Sequence, residues 1–353
     1  MPVKRQRPRG TATALLSALL LASACIAPSR IALGAELLLR GGGSTFAAPL
    51  FSAWIQDYGD EMPTLDIAYD AIGSGEGVSR FVTGSLDFAA TDAPLTEAQR
   101  GSLNGAVTQI PVTAGMIALP YNLPGDLQGQ LRLSREVYGG IFSGSVTQWD
   151  DPQIVALNPG LSLPHRRIQV VARLDGSGTT FSFTEHLEAV SRLWQETGLG
   201  TATRVDWPGS AILARGNEGV AVNVMRSDGS IGYVEYGFAE RLGLPLASLE
   251  NRSGAFVAPD PRSGRIAIES AGAAGSLDLG DPDPAAPDAY PIVAVTWMLL
   301  RQGESDTAKA RAIRDFARWA LGAGQELAPP LGYVALGSLV REKALSLLNK
   351  TEG

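Results

Sequence analysis

Three short turns dense in glycine, serine and threonine each stand between an apolar run and a stretch of helical period. They are Gly41-Gly42-Gly43-Ser44-Thr45-Phe46, Gly73-Ser74-Gly75-Glu76-Gly77 and Asp175-Gly176-Ser177-Gly178-Thr179-Thr180. A strand that passes into a helix through such a turn commits the chain to layered strand and helix, an α/β architecture. It also leaves the N–H groups of the first helical turn and the positive end of the helix dipole pointing outward, and glycine lets a ligand approach the backbone. Each turn is therefore a potential anion seat. Taken singly, helix capping and turn formation explain any one of them equally well. Three in one chain, with an arginine close to the third, weigh toward a ligand. None ends in Gly-Lys-Ser/Thr, so there is no P-loop, and the glycine spacing does not make a dinucleotide fingerprint.

The rest of the chain keeps the alternation. Leu37–Leu39, Leu65–Ile72 and Leu86–Ala90 read as strands, with Phe46–Tyr58 and Val78–Thr83 helical between them. A second set begins after Pro120, with helices at Ser134–Phe142, Thr179–Val190 and Asn217–Met225 and strands at Ile168–Ala172 and Ser230–Val234. Residues 254–290 are rich in Pro, Asp, Gly and Ala without a sustained period, and read as a long surface excursion. A strand at Ile292–Leu300 and helices at Asp306–Leu321 and Leu339–Leu348 close the chain and are expected to return to the first lobe. The expected division is residues 1–35 as a signal peptide, 36–118 with 292–353 as one lobe, and 119–291 as the other.

The N-terminus supports export. Lys4, Arg5, Arg7 and Arg9 precede an apolar run from Ala14 to Ala27, too short for the roughly 20 residues of a spanning helix. Two cleavage sites compete. Leu33-Gly34-Ala35 before Glu36 has the small-x-small form of soluble release, whereas Ala22-Ser23-Ala24-Cys25 resembles a weak lipobox that would acylate Cys25. Release after Ala35 is the favoured reading, and both put the chain outside the cytoplasm. Cys25 is the only cysteine, so that cleavage leaves no thiol, disulfide or zinc-thiolate site. It also removes five basic residues and no acid, taking the formal charge from −7 to −12. Such a chain lacks the basic stripe of a nucleic-acid binder.

Arg173 stands at the end of the strand entering the third turn, where its forked donors suit a tetrahedral oxyanion and Asp175 can orient it from behind. The plainer alternative is a surface ion pair of little worth. Asp92 follows Phe88-Ala89-Ala90-Thr91, where a strand should end. A carboxylate beside an anion is repulsive unless the ligand brings a proton to share, as phosphate does at neutral pH and sulfate does not.

Seven ordered segments now carry a resemblance: GGGSTFAAPLFSAW, YDAIGSGEGV, SLDFAATDAPLT, SGSVTQWDDPQIVALNPGLSLP, RLDGSGTTFSFTEHL, GNEGVAVNV and GSIGYVEYGFAE. In this order they resemble the motifs of the PstS family, the periplasmic phosphate-binding proteins of Pst-type ABC transporters. The resemblance is strong from Glu36 to about Arg241 and looser in the C-terminal quarter. It implies a type II-like periplasmic-binding-protein fold, two lobes each a sheet flanked by helices, with the ligand in the cleft between them. It implies that Thr45 and Phe46 form the first anion-binding turn, Ser74 the second, and Asp92 the acceptor of the phosphate proton. Arg173 with its partner Asp175, and Ser177, Gly178 and Thr179, would complete the phosphate site. The partners implied are inorganic phosphate and a Pst-type membrane permease, with the chain acting as a monomer, without cofactor or metal and not as an enzyme. One departure is Glu76, in a turn where the family carries Ser and Gly. As a helix-start acid it suits the dipole and points to solvent; facing the cleft it would be a second acceptor.

Other candidates are weaker. His165 and His186 lack partners at metal-ligand spacing, and His186 reads as a surface or packing residue. Trp149 with Asp150 and Asp151, and Tyr233 with Tyr236, read as packing and capping residues or as cleft walls. The competing functions are a secreted phosphatase on the same scaffold, which would need an activated nucleophile, and an adhesive surface protein, for which the acid-rich 254–290 segment is the only support.

Overall fold

The computed structural model describes residues 37–350 apart from 105, 126–130, 273–279 and 304–306. The expected signal peptide, both candidate cleavage sites and Cys25 lie outside the described residues.

The strand Leu37–Gly43 lies between Leu65–Asp70 and Phe88–Thr91 and is parallel to both. Parallel neighbours need a crossover, supplied here by the helices Ala48–Glu61 and Ser74–Val82. The first helix buries Leu50, Phe51, Trp54 and Tyr58 on one face, and its Trp54 indole donates to the carbonyl of Gly324 at 2.7 Å. The sheet continues through Val293–Arg301, Val107–Ala118 and Val234–Glu235, all antiparallel pairings, to give six strands. A second sheet of four strands comprises Tyr121–Asn122, Ser230–Gly232, Gln169–Arg173 and Ile212–Ala214. The helix Gly178–Val190 follows its Gln169–Arg173 strand, and Gly216–Arg226 follows Ile212–Ala214. A small third sheet joins Arg132–Leu133, Ser248–Glu250 and Phe256–Val257. The chain passes between the two larger sheets just after Ala118 and again at Tyr233.

Three expectations differ from what is observed. The glycines of the first turn stay in the strand, hydrogen-bonded into the sheet as far as Gly43, and the helix starts only at Ala48. Gly43 holds φ at +130°, and a Cβ there would stand 2.2 Å from the Ala90 carbonyl oxygen, so strand pairing, not helix entry, needs the glycine. The run Ser230–Val234 is two short strands in different sheets. They part at Tyr233, whose buried hydroxyl bonds Thr180 Oγ1 at 2.7 Å and receives the Arg173 N–H at 3.2 Å. Residues 254–290 are not only surface: they contain the helix Pro261–Gly272 with Ala267 and Ile268 buried, and they end on the buried Tyr290, whose hydroxyl donates to the Ile117 carbonyl at 3.2 Å. The small residues that hid its period mark close packing, since a Cβ on Gly264 would meet the Met116 sulfur at 2.8 Å.

Candidate functional site

Asp92 lies just past the end of the Phe88–Thr91 strand and is 1% exposed. Its Oδ1 accepts from Ser44 Oγ and from Thr296 Oγ1, each at 2.6 Å, and its Oδ2 accepts from Ser74 Oγ at 3.3 Å. Thr296 stands where the pairing of Val293–Arg301 with its neighbour slips between Thr296 and Trp297, a bulge of the kind that re-aims a side chain. Burial raises the Asp92 carboxyl above its ordinary value, opposed by the Ser44 and Thr296 bonds, the Arg173 charge and the Ser74 bond. A carboxylate has about four acceptor positions. Two are taken on Oδ1 and one on Oδ2, leaving Oδ2 with room for one more donor.

Arg173 ends the Gln169–Arg173 strand, 3% exposed. Its guanidinium grips Asp175 with two donors, Nε to Oδ1 at 2.9 Å and Nη2 to Oδ2, while Nη1 donates to Thr179 Oγ1 at 3.4 Å. The backbone N–H of Gly216 adds a bond to Asp175 Oδ1 at 3.1 Å. Burial would raise the Asp175 carboxyl, but the bonds and charge of Arg173 outweigh it and hold it below its ordinary value. Asp175 thus stays ionised and fixes the fork, which has five N–H donors, of which three are engaged here. Ser177 caps the following helix by accepting the Thr180 N–H at 3.0 Å, and the N–H groups of Gly178 and Thr179 lie in the first turn, where no helical carbonyl can reach them. A Cβ at Gly178 would stand 2.6 Å from Asp92 Cβ and 2.7 Å from Ser74 Oγ, so the third turn rests directly on the second turn and on Asp92.

Thr45 joins the same cluster through a residue that turn reading did not single out. Asn217 Nδ2 donates to Thr45 Oγ1 at 3.0 Å and to Thr179 Oγ1 at 3.1 Å, and the Asn217 N–H reaches Thr45 Oγ1 at 3.3 Å. The Phe46 ring is fully buried in the core and its carbonyl accepts from Tyr333 Oη at 2.7 Å, which leaves its backbone N–H as its remaining polar group. All eight expected site residues and Asp175 are thus brought to one place where the sheets meet. Outside this cluster opens a cleft of about 1140 Å³ flanked by Arg80, Arg204 and Arg215.

Ser44, Thr296 and Asn217 were missed. Ser44 stood in the first turn beside Thr45, and Asn217 is the second residue of the segment GNEGVAVNV, a fourth strand-to-helix junction whose glycine pattern is thinner. Thr296 had only the signal of one hydroxyl in an apolar strand. Glu76 is exposed and pairs with Arg80 one helical turn on, at 2.7 Å, and both side chains line the outer cleft, away from the Asp92 carboxylate. His186 is not a surface residue: it is 1% exposed, bonded to Tyr138 Oη at 2.8 Å and the Pro282 carbonyl at 2.6 Å, and burial lowers its ring to about 4, so it packs as neutral imidazole. His165 is a surface partner of Asp150.

A family model described as a PBP superfamily domain matches residues 10–323. The phosphate-binding protein PstS of Xylella fastidiosa is 36% identical over 300 residues, covering 84% of this chain and 81% of its own length. The phosphate-binding protein PstS of Pasteurella multocida is 36% identical over 310 residues, covering 86% and 88%. The chain belongs to the PstS family. Its two-lobed fold is shared with a high-affinity periplasmic phosphate-binding protein, PfluDING, solved with phosphate, at a TM-score of 0.72 and 23% identity over 87% of this chain and 93% of that one. Within the PstS family framework, the cluster around Asp92 and Arg173 occupies the meeting line of the two larger sheets.

Proposed function

We propose that the chain captures inorganic phosphate in the periplasm and delivers it to a Pst-type ABC importer. Thr45, Phe46, Ser74, Asp92, Arg173, Ser177, Gly178 and Thr179 hold the anion, and Asp175 orients Arg173. The observation that carries this reading is the donor set of the cluster: free N–H groups of a helix start and a guanidinium held from behind by the buried Asp175, facing Asp92, whose carboxylate has a single acceptor position open on Oδ2. That set suits a tetrahedral anion bearing a proton. Residues 36–118 with 292–353 and residues 119–291 act as the two lobes, a division supported by the two larger sheets except at Val234–Glu235. The chain binds and releases its ligand without turnover, as a monomer and not on nucleic acid. The basic start and short apolar run of residues 1–35 support export and release at Glu36, with a lipid anchor on Cys25 as the alternative.

The test is calorimetry with phosphate and with sulfate on the parent and on Asp92→Asn. Phosphate should bind the parent and sulfate should not compete. Against protonated phosphate Asp92 gains a charge-assisted bond, whereas sulfate would face buried lone-pair repulsion with no proton between. Asn removes the repulsion and supplies a donor, so sulfate competes better relative to phosphate. An unchanged preference removes Asp92 from discrimination; no phosphate binding removes the function; hydrolysis of a phosphate monoester by the parent would favour the phosphatase instead.

A further inference from the structure

Asn217 is fully buried at the second position of the Gly216–Arg226 helix. Its amide orientation is fixed by its surroundings. Oδ1 accepts the backbone N–H of Glu235 at 2.9 Å, so Nδ2 must be the group that faces the two threonines. Both of its protons are then spent, one on Thr45 and one on Thr179.

The consequence falls on those hydroxyls. A hydroxyl oxygen has two acceptor positions and one proton. Thr45 Oγ1 receives both Asn217 Nδ2 and the Asn217 N–H, at 3.0 and 3.3 Å. Thr179 Oγ1 receives Asn217 Nδ2 at 3.1 Å and Arg173 Nη1 at 3.4 Å. Each oxygen is saturated as an acceptor, and neither donates to a group among the described residues. Among the described residues their protons have no acceptor, so they are left for whatever occupies the seat.

We propose that Asn217 is a specificity-determining residue that locks the Thr45 and Thr179 hydroxyls as donors toward the bound anion, one from the turn of each lobe. This rests on the phosphate reading and adds to it. A free hydroxyl could turn to suit a ligand proton or a ligand lone pair; locked, these two accept nothing. The anion must therefore present bare oxygen to both threonines and place any proton elsewhere, with Asp92 Oδ2 as the open acceptor. Asn217 also holds the Glu235 N–H, so the crossover between the sheets is tied to both turns through one side chain.

Neutron diffraction of the perdeuterated parent crystallised with phosphate reads the proton positions directly. The expected result is a deuteron on Thr45 Oγ1 and on Thr179 Oγ1, each directed at a phosphate oxygen. Either deuteron directed at Asn217 overturns the inference while leaving phosphate binding intact; a seat without phosphate overturns the phosphate reading and the inference with it. Calorimetry adds a readout that a spacer role would not move. Asn217→Asp offers both hydroxyls an acceptor, withdrawing two donors from the anion, and phosphate affinity should fall about hundredfold or more. Asn217→Ala leaves the hydroxyls free to turn to the ligand and should lose about tenfold or less. A residue that merely fills space would give the reverse order, because Asp keeps the shape and Ala does not. Equal or reversed losses overturn the inference. If either variant fails to fold, the neutron measurement on the parent decides alone.

Discussion

Arg173 and Asp175 form the tightest charged unit in the cluster, both buried, joined by two parallel donors. Replacing Arg173 by Lys keeps a charge but loses the fork, so one ammonium cannot grip Asp175, bond Thr179 and face the anion together. Phosphate binding should weaken by about 1.5–3 kcal/mol, the scale of hydrogen bonds to charged groups; unchanged affinity by calorimetry would place Arg173 outside the site. Glu235 gives a second prediction. Its carboxyl is fully buried and accepts the Gly237 N–H at 2.8 Å, and burial raises it from 4.5 to about 8 against the opposing Gly237 bond, the charge of Arg241 and the Phe238 N–H. Between those two values the folded chain holds a proton that the unfolded chain has released, so this group's contribution to stability falls as pH rises and is fully lost above the folded value. Glu235→Gln removes the titration. Relative to the parent it should gain on the order of 3–5 kcal/mol from about pH 5 to pH 8, read from chemical denaturation; a pH-independent difference would mean that Glu235 is not buried with its proton. These residues also mark the limit of the sequence at this scale. Turn chemistry marks the three turns as anion seats because glycine and hydroxyl residues cluster at helix starts, and the family resemblance picks out Thr45, Ser74 and Ser177 to Thr179 within them. Asp92's anchor Thr296 escapes it because it reaches the site through a strand bulge some two hundred residues away, and a bulge has no local signature in an apolar run.

At the scale of elements, the helix Gly178–Val190 begins against the other lobe's Asp92 and Ser74. A methyl group at Gly178 would meet Asp92 Cβ at 2.6 Å and Ser74 Oγ at 2.7 Å, closer than unbonded atoms allow. Gly178 has an ordinary helical backbone, so Gly178→Ala adds no strain within its own lobe and the clash is relieved if the lobes part. The expected outcome is a loss of phosphate affinity of about tenfold or more with little change in melting temperature of the free protein. A large fall in melting temperature with affinity kept would mean that the contact belongs to the core and not to the closing surface. Helices and strands with a clear period were readable from residue pattern to within a few positions, as Thr179–Val190 against Gly178–Val190 illustrates. The Pro261–Gly272 helix was not, because beside Ile268 its buried face is built from Ser263, Gly264 and Ala267, small residues that show no helical period until Met116 is seen packed on Gly264. The break at Tyr233 was equally hidden: an apolar run shows that a strand is buried, not which sheet each half joins.

For the whole molecule, the contacts between the turns of the two lobes are few and polar. The Gly75 N–H donates to the Gly176 carbonyl at 2.9 Å, Ser182 Oγ to the Asp92 carbonyl at 3.3 Å, and Asn217 to Thr45 at 3.0 Å. Bonds of this kind contribute about 0.5–1.5 kcal/mol each in water, too little to hold two lobes shut without help. A ligand that bonds both lobes at once favours the closed arrangement by its differential affinity, and the two chain crossings near Ala118 and Tyr233 are where such a motion would be absorbed. The Gly75 amide reports on it, since its partner lies across the cleft, whereas the Ile117 amide, bonded to the Ile292 carbonyl at 2.9 Å inside the six-stranded sheet, does not. With free phosphate at a hundred times its dissociation constant, the closed state gains about 2.7 kcal/mol, so exchange of the Gly75 amide through cleft opening should slow by about a hundredfold. Ile117, if it exchanges through local opening of the sheet, should change little. Two results would count against hinge closure: no slowing at Gly75, which would mean that the Gly75–Gly176 bond persists whether or not the anion is held, and equal slowing at both amides, which would mean that phosphate stabilises the fold as a unit rather than the closed arrangement of its lobes.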